Sequence, residues 1–441
     1  MPSLSIAVLP FADLSTDKNQ RYFCDGLAAE LIVALSRIEG LRVAPRSSSF
    51  RFRASDDAQE AGRQLGVSAV LEGSVGKADG RLRVRAKLTS TDDGFELWSN
   101  TFDRPLEDVF AIQHEIAERI THTLELRLDQ RDSEALKRPP TTDIQAYEYY
   151  LKGRERFFEY RRRGVEAALQ LFNMALMLDH DYARAYAGVA ECCTFLVMYA
   201  DGDEADLEQA DLASRRSLEL APDLAEAHAA RGLVLSMQHQ YEASEEAFET
   251  AIRLNPKLFE AYYFYARSSF AQGDLESAAR LFGHASRIDP DDYQAPLLLA
   301  QIYDDLERPE EAVAIRRRGV QAAERRLQHN PEETRALYLG ATALVCLGQS
   351  ERGLSWVERA LELEPNEPML LYNVGCVYSL AGELDRALEC IEKSVSSGLA
   401  YIEWLRQDSN LDPLRDHPRF KALLEQRPSC PEHREGGNRR P

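Results

Sequence analysis

Residues 223–256 read DLAEAHAARGLVLSMQHQYEASEEAFETAIRLNP, and residues 257–290 read KLFEAYYFYARSSFAQGDLESAARLFGHASRIDP. Laid one under the other, the two 34-residue strings agree at spaced positions rather than in runs. Gly232 falls on Ala266, Ser244 on Ala278, Phe248 on Phe282, Ala251 on Ala285 and Pro256 on Pro290. Pro222 lies one period earlier, and Ala300, Ala312 and Gly319 continue the series. After a step of 41 from Pro290 to Pro331 the period of 34 returns at Pro365, with Ala341 and Gly375, Gly353 and Ala387, and Ala360 and Ser394 in phase. The physical content of this beat is packing. Each unit reads as two antiparallel helices, with small residues where they cross and a larger one beside them. Proline closes the second helix, because it has no N–H to donate and its ring clashes with the preceding turn. The surplus of seven residues follows Gly319, where Val320 to Gln328 keeps helical character. The second helix of that unit is therefore expected to run two turns longer.

The pattern resembles the tetratricopeptide repeat (TPR). Two looser copies precede the regular ones. Tyr147–Asp179 keeps Gly153, Ala168, Phe172 and Ala175, and Tyr182–Pro222 keeps Gly188 and Ala210 with about ten extra residues near Asp201. This makes about seven repeats over residues 146–399. A breaker cluster, Arg138-Pro-Pro-Thr-Thr, marks a linker over 133–145. Residues 400–426, with Trp404, Leu405, Leu411, Leu414, Phe420 and Leu423, read as a capping helix over the last apolar face. Residues 427–441 are rich in Pro, Gly and Arg and read as a disordered tail.

Residues 1–132 follow a different pattern. Ser5-Ile-Ala-Val-Leu-Pro-Phe11 is a short apolar run ended by proline, which reads as a buried strand. Leu27, Leu31, Ala34, Leu35 and Ile38 have helical spacing; Leu41–Ala44 reads as a strand, Asp56–Leu65 as a helix and Ala69–Val75 as a strand. Asp79-Gly80 signals a tight hairpin into Arg81–Thr89, where Leu82, Val84, Ala86 and Leu88 alternate with Arg81, Arg83, Arg85 and Lys87. The basic row reads best as a solvated outer face. Glu96–Phe102 and a helix over Leu106–Leu128 complete a βαβαβββα order with a mixed sheet. The fold expected is α+β as a whole, a mixed α/β domain followed by an all-α TPR solenoid.

Four blocks in order, Ser5–Phe11, Tyr22-Phe-Cys-Asp-Gly-Leu27, Val67–Val75 and Glu96-Leu-Trp-Ser99, resemble the TolB amino-terminal-like domain over about residues 4–128. The resemblance implies a partner-binding, non-enzymatic domain. In bacterial chains such a domain often sits between an effector, such as a class III adenylate cyclase or a winged-helix regulator, and a repeat array. The first strand begins almost at Met1, so no effector is expected within the chain.

The formal net charge is −20. Residues 1–132 hold 17 Lys+Arg against 21 Asp+Glu, so most of the excess acid lies in the array. This argues against a nucleic-acid partner. The seven cysteines include no C-x-x-C pair, which fits reduced core residues in a cytoplasmic protein. No run approaches the roughly 18 apolar residues of a membrane span. Phosphate-loop, dinucleotide, zinc-helix and nucleophile-elbow motifs are missing, and the nine histidines are scattered. No catalytic residue, cofactor or metal is expected.

First helices of such repeats line a groove. Counted from each proline, the groove candidates are Glu260, Tyr263, Arg267, Phe270, Gln301, Arg335, Tyr338, Tyr372 and Asn373. Tyr and Arg are frequent interaction anchors; the competing reading packs each Tyr between helices. The expected function is a non-catalytic adaptor that binds a peptide or protein in this groove, within bacterial signalling. The alternative is the regulatory half of an adenylate cyclase-like or transcriptional signalling protein without its effector. Self-association into a homo-oligomer stays open.

Overall fold

The apolar runs of the amino-terminal part give strands buried on both faces, at β1 and the start of β4, and the alternating stretch gives one strand, β5, with a single face in the core. Strands β1 (Ser5–Val8), β2 (Ala12–Asp13), β3 (Arg42–Val43), β4 (Ala69–Ala78), β5 (Arg81–Ser90) and β6 (Glu96–Pro105) are ordered β3-β1-β4-β5-β6, with β2 also beside β4. β1 is parallel to β3 and β4, whereas the β4/β5 and β5/β6 pairs are antiparallel, so the sheet is mixed. Asp79 and Gly80 both take positive φ, 50° and 71°, the conformation that a two-residue hairpin turn requires. Leu82, Val84, Ala86 and Leu88 of β5 are fully buried. The basic row opposite is the exposed face that the sequence reading expected, with Arg81, Arg83 and Arg85 all exposed, and it also carries ion pairs. Arg81 and Arg83 both pair with Asp103 on β6, and Lys87 with Glu72 on β4.

Helices α1 (Arg21–Ser36), α2 (Arg46–Ser49), α3 (Ala58–Leu65) and α4 (Val109–Thr123) surround the sheet. Strand β2 and helix α2 were not anticipated; at two and four residues they are too short to show a period. Helix α3 begins later than expected, because the Asp57 side chain accepts from the Gln59 and Glu60 amides and caps it.

The computed structural model describes residues 4–15, 17–38, 40–53, 56–126, 139–159, 161–199, 204–397, 405–406 and 408–425. The chain forms two compact units, Met1–Ile315 and Arg316–Pro441. The expected tail over 427–441, Trp404 and residues 133–138 of the expected linker lie outside the described residues.

Seven helical pairs follow among the described residues. They are α5/α6 (Ile144–Phe157, Arg162–Leu178), α7/α8 (Ala183–Tyr199, Glu204–Leu220), α9/α10 (Ala225–Met237, Tyr241–Leu254) and α11/α12 (Phe259–Ala271, Leu275–Ile288). Then come α13/α14 (Gln294–Asp305, Pro309–His329), α15/α16 (Thr334–Cys346, Ser350–Leu363) and α17/α18 (Pro368–Leu380, Leu384–Ser396). The periodic small residues sit at the crossings. A Cβ on Gly232 would lie 2.9 Å from the Phe248 ring, which is itself fully buried. The surplus of seven appears as one helix, α14, with 21 residues where α10, α12 and α16 have 14. The boundary between the two compact units falls inside α14.

A second periodic feature lies in the turn within each of the last five pairs. His239, Gly273, Glu307, Gly348 and Gly382 all have positive φ, between 57° and 80°, at steps of 34, 34, 41 and 34. The segment read as one capping helix is instead a 3-10 stretch, Ser409–Leu414, and a short helix α19, Pro418–Glu425. Pro413 and Pro418 forbid a single helix there. Leu405, Leu411, Leu414 and Phe420 are nonetheless fully buried.

Candidate functional site

Helix α1 has two working faces. Phe23, Cys24, Leu27, Ala28, Leu31 and Leu35 are fully buried among the residues of the amino-terminal core. The opposite face, with Asp25, Gly26, Ala29, Glu30 and Val33, looks toward the first helices of the repeats. The approach is close: a Cβ on Gly26 would sit 2.7 Å from a methyl of Leu151 on α5. Tyr147, also on α5, is completely buried, with its ring 6.3 Å from Phe23 and 4.8 Å from Phe110, and its hydroxyl accepts from Gln113 at 2.8 Å. One apolar cluster runs without interruption from Ile6 to Val234, so the α/β domain and the first repeats share a core within this unit.

Polar contacts extend the seam. Arg184 on α7 pairs with Glu30, Arg37 approaches Glu226 on α9 at 3.9 Å, and Arg51 reaches Asp291 at 3.2 Å. Lys257 donates to the Leu41 carbonyl at 2.6 Å, and Lys77 pairs with Glu148 on α5. Helix α1 thus faces the first helices of the first four repeats, and of the residues that sequence reasoning reserved for a partner Glu260 alone lines this seam.

A cavity of about 180 Å³ remains in this seam. Helix α1 lines one side, with Arg46 of α2 beside it, and α5, α7, α9 and α11 line the other. The charge of its wall is unbalanced. Six carboxylates, those of Asp25, Glu30, Glu155, Glu191, Glu226 and Glu260, face three guanidinium groups, those of Arg46, Arg154 and Arg184. Arg154 donates to Glu191 at 2.6 Å, and Arg184 to Glu30. The Arg46 guanidinium lies over the rings of Phe50 and Phe158, at 4.4 and 4.1 Å.

Burial raises the pKa of Glu191, although Arg154 opposes it. Burial and the nearby Glu191 and Glu226 raise that of Glu260. Asp25 and Glu155 are shifted the same way, again chiefly by burial. For Glu226, burial is outweighed by Arg37 and Arg184, and its pKa is lowered. Its Oε2 is nevertheless buried without a hydrogen-bond partner.

Of the nine groove candidates, five lie in the first unit and four in the second. Glu260 lines the cavity. Tyr263, on the same helix, is buried; its ring stacks on Phe259 and meets Phe282 edge-on, and its hydroxyl donates to Gln294 at 3.4 Å. Arg267 lies over the Tyr199 ring at 5.1 Å. Phe270 is 40% exposed, and Gln301 on α13 is half-buried. In the second unit, Arg335 donates to the hydroxyl of Tyr338, one helical turn on, at 3.2 Å. The buried Tyr372 donates to Asp408 at 2.6 Å, and Asn373 to its own helix at Met369.

The cavity residues on α1, α5 and α7 were not singled out from sequence. One signal could have found them: Arg184, Glu226 and Glu260 are each the second residue of a first helix, so they form a charged row at one repeat position. Among the described residues no group of His, Cys, Asp or Glu is placed to hold a metal ion, and no helix is long and apolar enough to cross a membrane.

Comparison with known proteins places the two parts of the chain differently. Residues 2–119 match the family described as HilA/YgeH-like transcriptional regulator, second domain, rather than the TolB-like family that the sequence blocks resemble. Residues 229–292, 269–325 and 370–397 match tetratricopeptide repeats. A Rhizobium meliloti (strain 1021) protein named "Putative adenylate cyclase 3" is 32% identical over 246 residues, which is 55% of this chain. The chain spans only 42% of that relative's length. Among solved structures, a monomeric mutant of IFIT1 with m7Gppp-AAAA has 14% identity over 68% of this chain and 78% of its own, with a TM-score of 0.49. YrrB, a TPR protein with an unusual peptide-binding site, has 20% identity over 44% of this chain and 97% of its own, with a TM-score of 0.30. The chain carries tetratricopeptide repeats behind an amino-terminal domain similar to that of HilA-like regulators.

Proposed function

We propose that this chain is a non-catalytic interaction and coupling region of a bacterial signalling protein, working in a reduced, cytoplasmic setting. The observation that carries this reading is the seating of α1 against the first helices of four repeats, through Arg184–Glu30 and the Gly26–Leu151 approach. The inward row of the repeats already does interaction work, holding a folded domain. A change of contact on either side of the seam would be felt on the other, which is what a coupling element requires.

The likeness to a protein named as an adenylate cyclase, over two fifths of its length, favours the regulatory form of this proposal over a free-standing adaptor. Regulator-type and TPR domains are non-catalytic. In the adaptor form, the partner surface would use the exposed Phe270 with the half-buried Arg267 and Gln301 of the first unit.

Two measurements test the proposal. Purified chain, incubated with ATP and a divalent cation, is expected to form no cyclic AMP; formation of it would overturn the non-catalytic reading. Immobilised chain is expected to retain a protein partner, with retention reduced in an Arg267→Ala, Phe270→Ala variant of unchanged helicity. Undiminished retention would remove the groove assignment and leave the seam as the interaction of interest.

A further inference from the structure

The cavity beneath α1 has the attributes of a ligand site of defined chemistry. By its measure of about 180 Å³, and with one water needing on the order of 10–15 Å³, it admits a solute of on the order of ten non-hydrogen atoms. Its wall carries three more carboxylates than guanidinium groups. The cations present are engaged: Arg154 with Glu191, Arg184 with Glu30, and Arg46 over two aromatic rings.

Glu191 and Glu30 take Arg154 and Arg184, and Asp25 takes Arg21 at 3.4 Å, which leaves Glu155, Glu226 and Glu260. Glu226 has only Arg37, at 3.9 Å, and its Oε2 is buried without accepting a hydrogen bond. Glu260 has no ion pair among the described residues. An uncompensated acceptor in a low-dielectric wall costs more than one that receives a donor. An anion would meet the excess negative charge, and the carboxylates are not grouped for a metal ion. An alkyl chain, by contrast, has Ala29, Val33 and Leu151 to lie against.

We infer that this cavity binds a small organic dication of the alkyl diammonium class, its two ammonium groups donating to Glu226 and Glu260 beneath helix α1. Because α1 forms one wall and the repeats the other, the bound dication bridges the α/β domain and the array and tightens the seam. The inference goes beyond the coupling role proposed above, and it is tested on purified protein without any partner, so its failure leaves partner capture untouched.

The probe is 1,4-diaminobutane, titrated calorimetrically into the full chain, with butylamine, 1,4-butanediol and succinate as matched controls. Saturable binding is expected for the diamine, at least tenfold weaker binding for butylamine, and none for the diol or the diacid. A Glu226→Gln, Glu260→Gln variant, which keeps the shape of both side chains and is checked for unchanged helicity, should lose at least tenfold in affinity for the diamine. Ala29→Phe, which fills the cavity and leaves every carboxylate in place, should abolish binding. Absence of saturable binding at millimolar diamine, equal binding of the diol, or undiminished binding by the two variants would each overturn the inference.

Discussion

The first helices α7, α9 and α11 and the first helices α15 and α17 are built on one repeat pattern, yet their inward positions serve different ends. In the first three, the second helical residue is Arg184, Glu226 or Glu260, and all three line the cavity beneath α1. In α15 and α17 that position carries Arg335 and Met369, and one turn further on stand Tyr338 and Tyr372, both buried, with Tyr372 tied to Asp408 of the carboxy-terminal segment. The repeat specifies how helices pack against each other. What faces inward depends on what covers it: a charged seam under a folded domain in one unit, an aromatic and hydrogen-bonded end in the other.

The comparison can be broken most severely through the packing that both regions share. Phe248→Ala empties a fully buried position that stacks on Tyr265 and fills the space beside Gly232, and should cost about 3–5 kcal/mol in urea unfolding. Next comes the seam. Arg184→Ala leaves Glu30 without its cation at a side-chain exposure of 14%, and should cost about 2–4 kcal/mol, with faster amide exchange in α1. Arg419→Ala, at an exposed pair in the second unit, should leave the urea midpoint unchanged, because solvent screens that pair. Equal effects of the two arginines would erase the distinction between seam and surface.

In the second unit, Tyr372→Phe removes a hydrogen bond to a carboxylate and should cost about 1.5–3 kcal/mol, with exchange rising in 409–414 and α17 rather than in α1.

The seam also has a pH signature. The pKa of Glu260 is raised above its ordinary 4.5 in the folded chain, so its contribution is fully present below pH 4.5 and is lost as pH rises through the folded value. Glu260→Gln should therefore be more stable than the parent at neutral pH, and the difference should vanish below pH 4.5. An unchanged difference across that range would show that charge at Glu260 does not strain the seam.

A further small effect concerns the turns. His239 and Glu307 hold positive φ where the later pairs use glycine, so His239→Gly and Glu307→Gly should each stabilise by about 0.5–1 kcal/mol.

Much of the architecture could be read directly. The hairpin at Asp79-Gly80, the buried row of β5 and the added length of α14 were all expected from residue spacing, because each depends on a local period or a turn residue. Less was legible at the ends and in short elements. The capping segment is broken by Pro413 and Pro418, whose effect the apolar pattern around them concealed, and β2 and α2 exist through contacts with neighbours rather than through any period of their own. The candidate site was the least legible part. Only Glu260 among the sequence candidates lines the cavity, because the others were chosen by repeat position without knowing which helix would cover them.

By itself, then, the sequence determined the repeat, its period, its inserted turns and the mixed sheet, since these follow from backbone sterics and from side chains a few residues apart. The tertiary structure alone decided that helix α1 lies over the first repeats, and that Glu30, Arg184, Glu226 and Glu260 meet around one cavity. Those residues are up to 230 positions apart in the chain, and no local pattern encodes their encounter. It arises because the second face of α1 and the inward row of the repeats bury each other, and the charges they carry must then be satisfied in place.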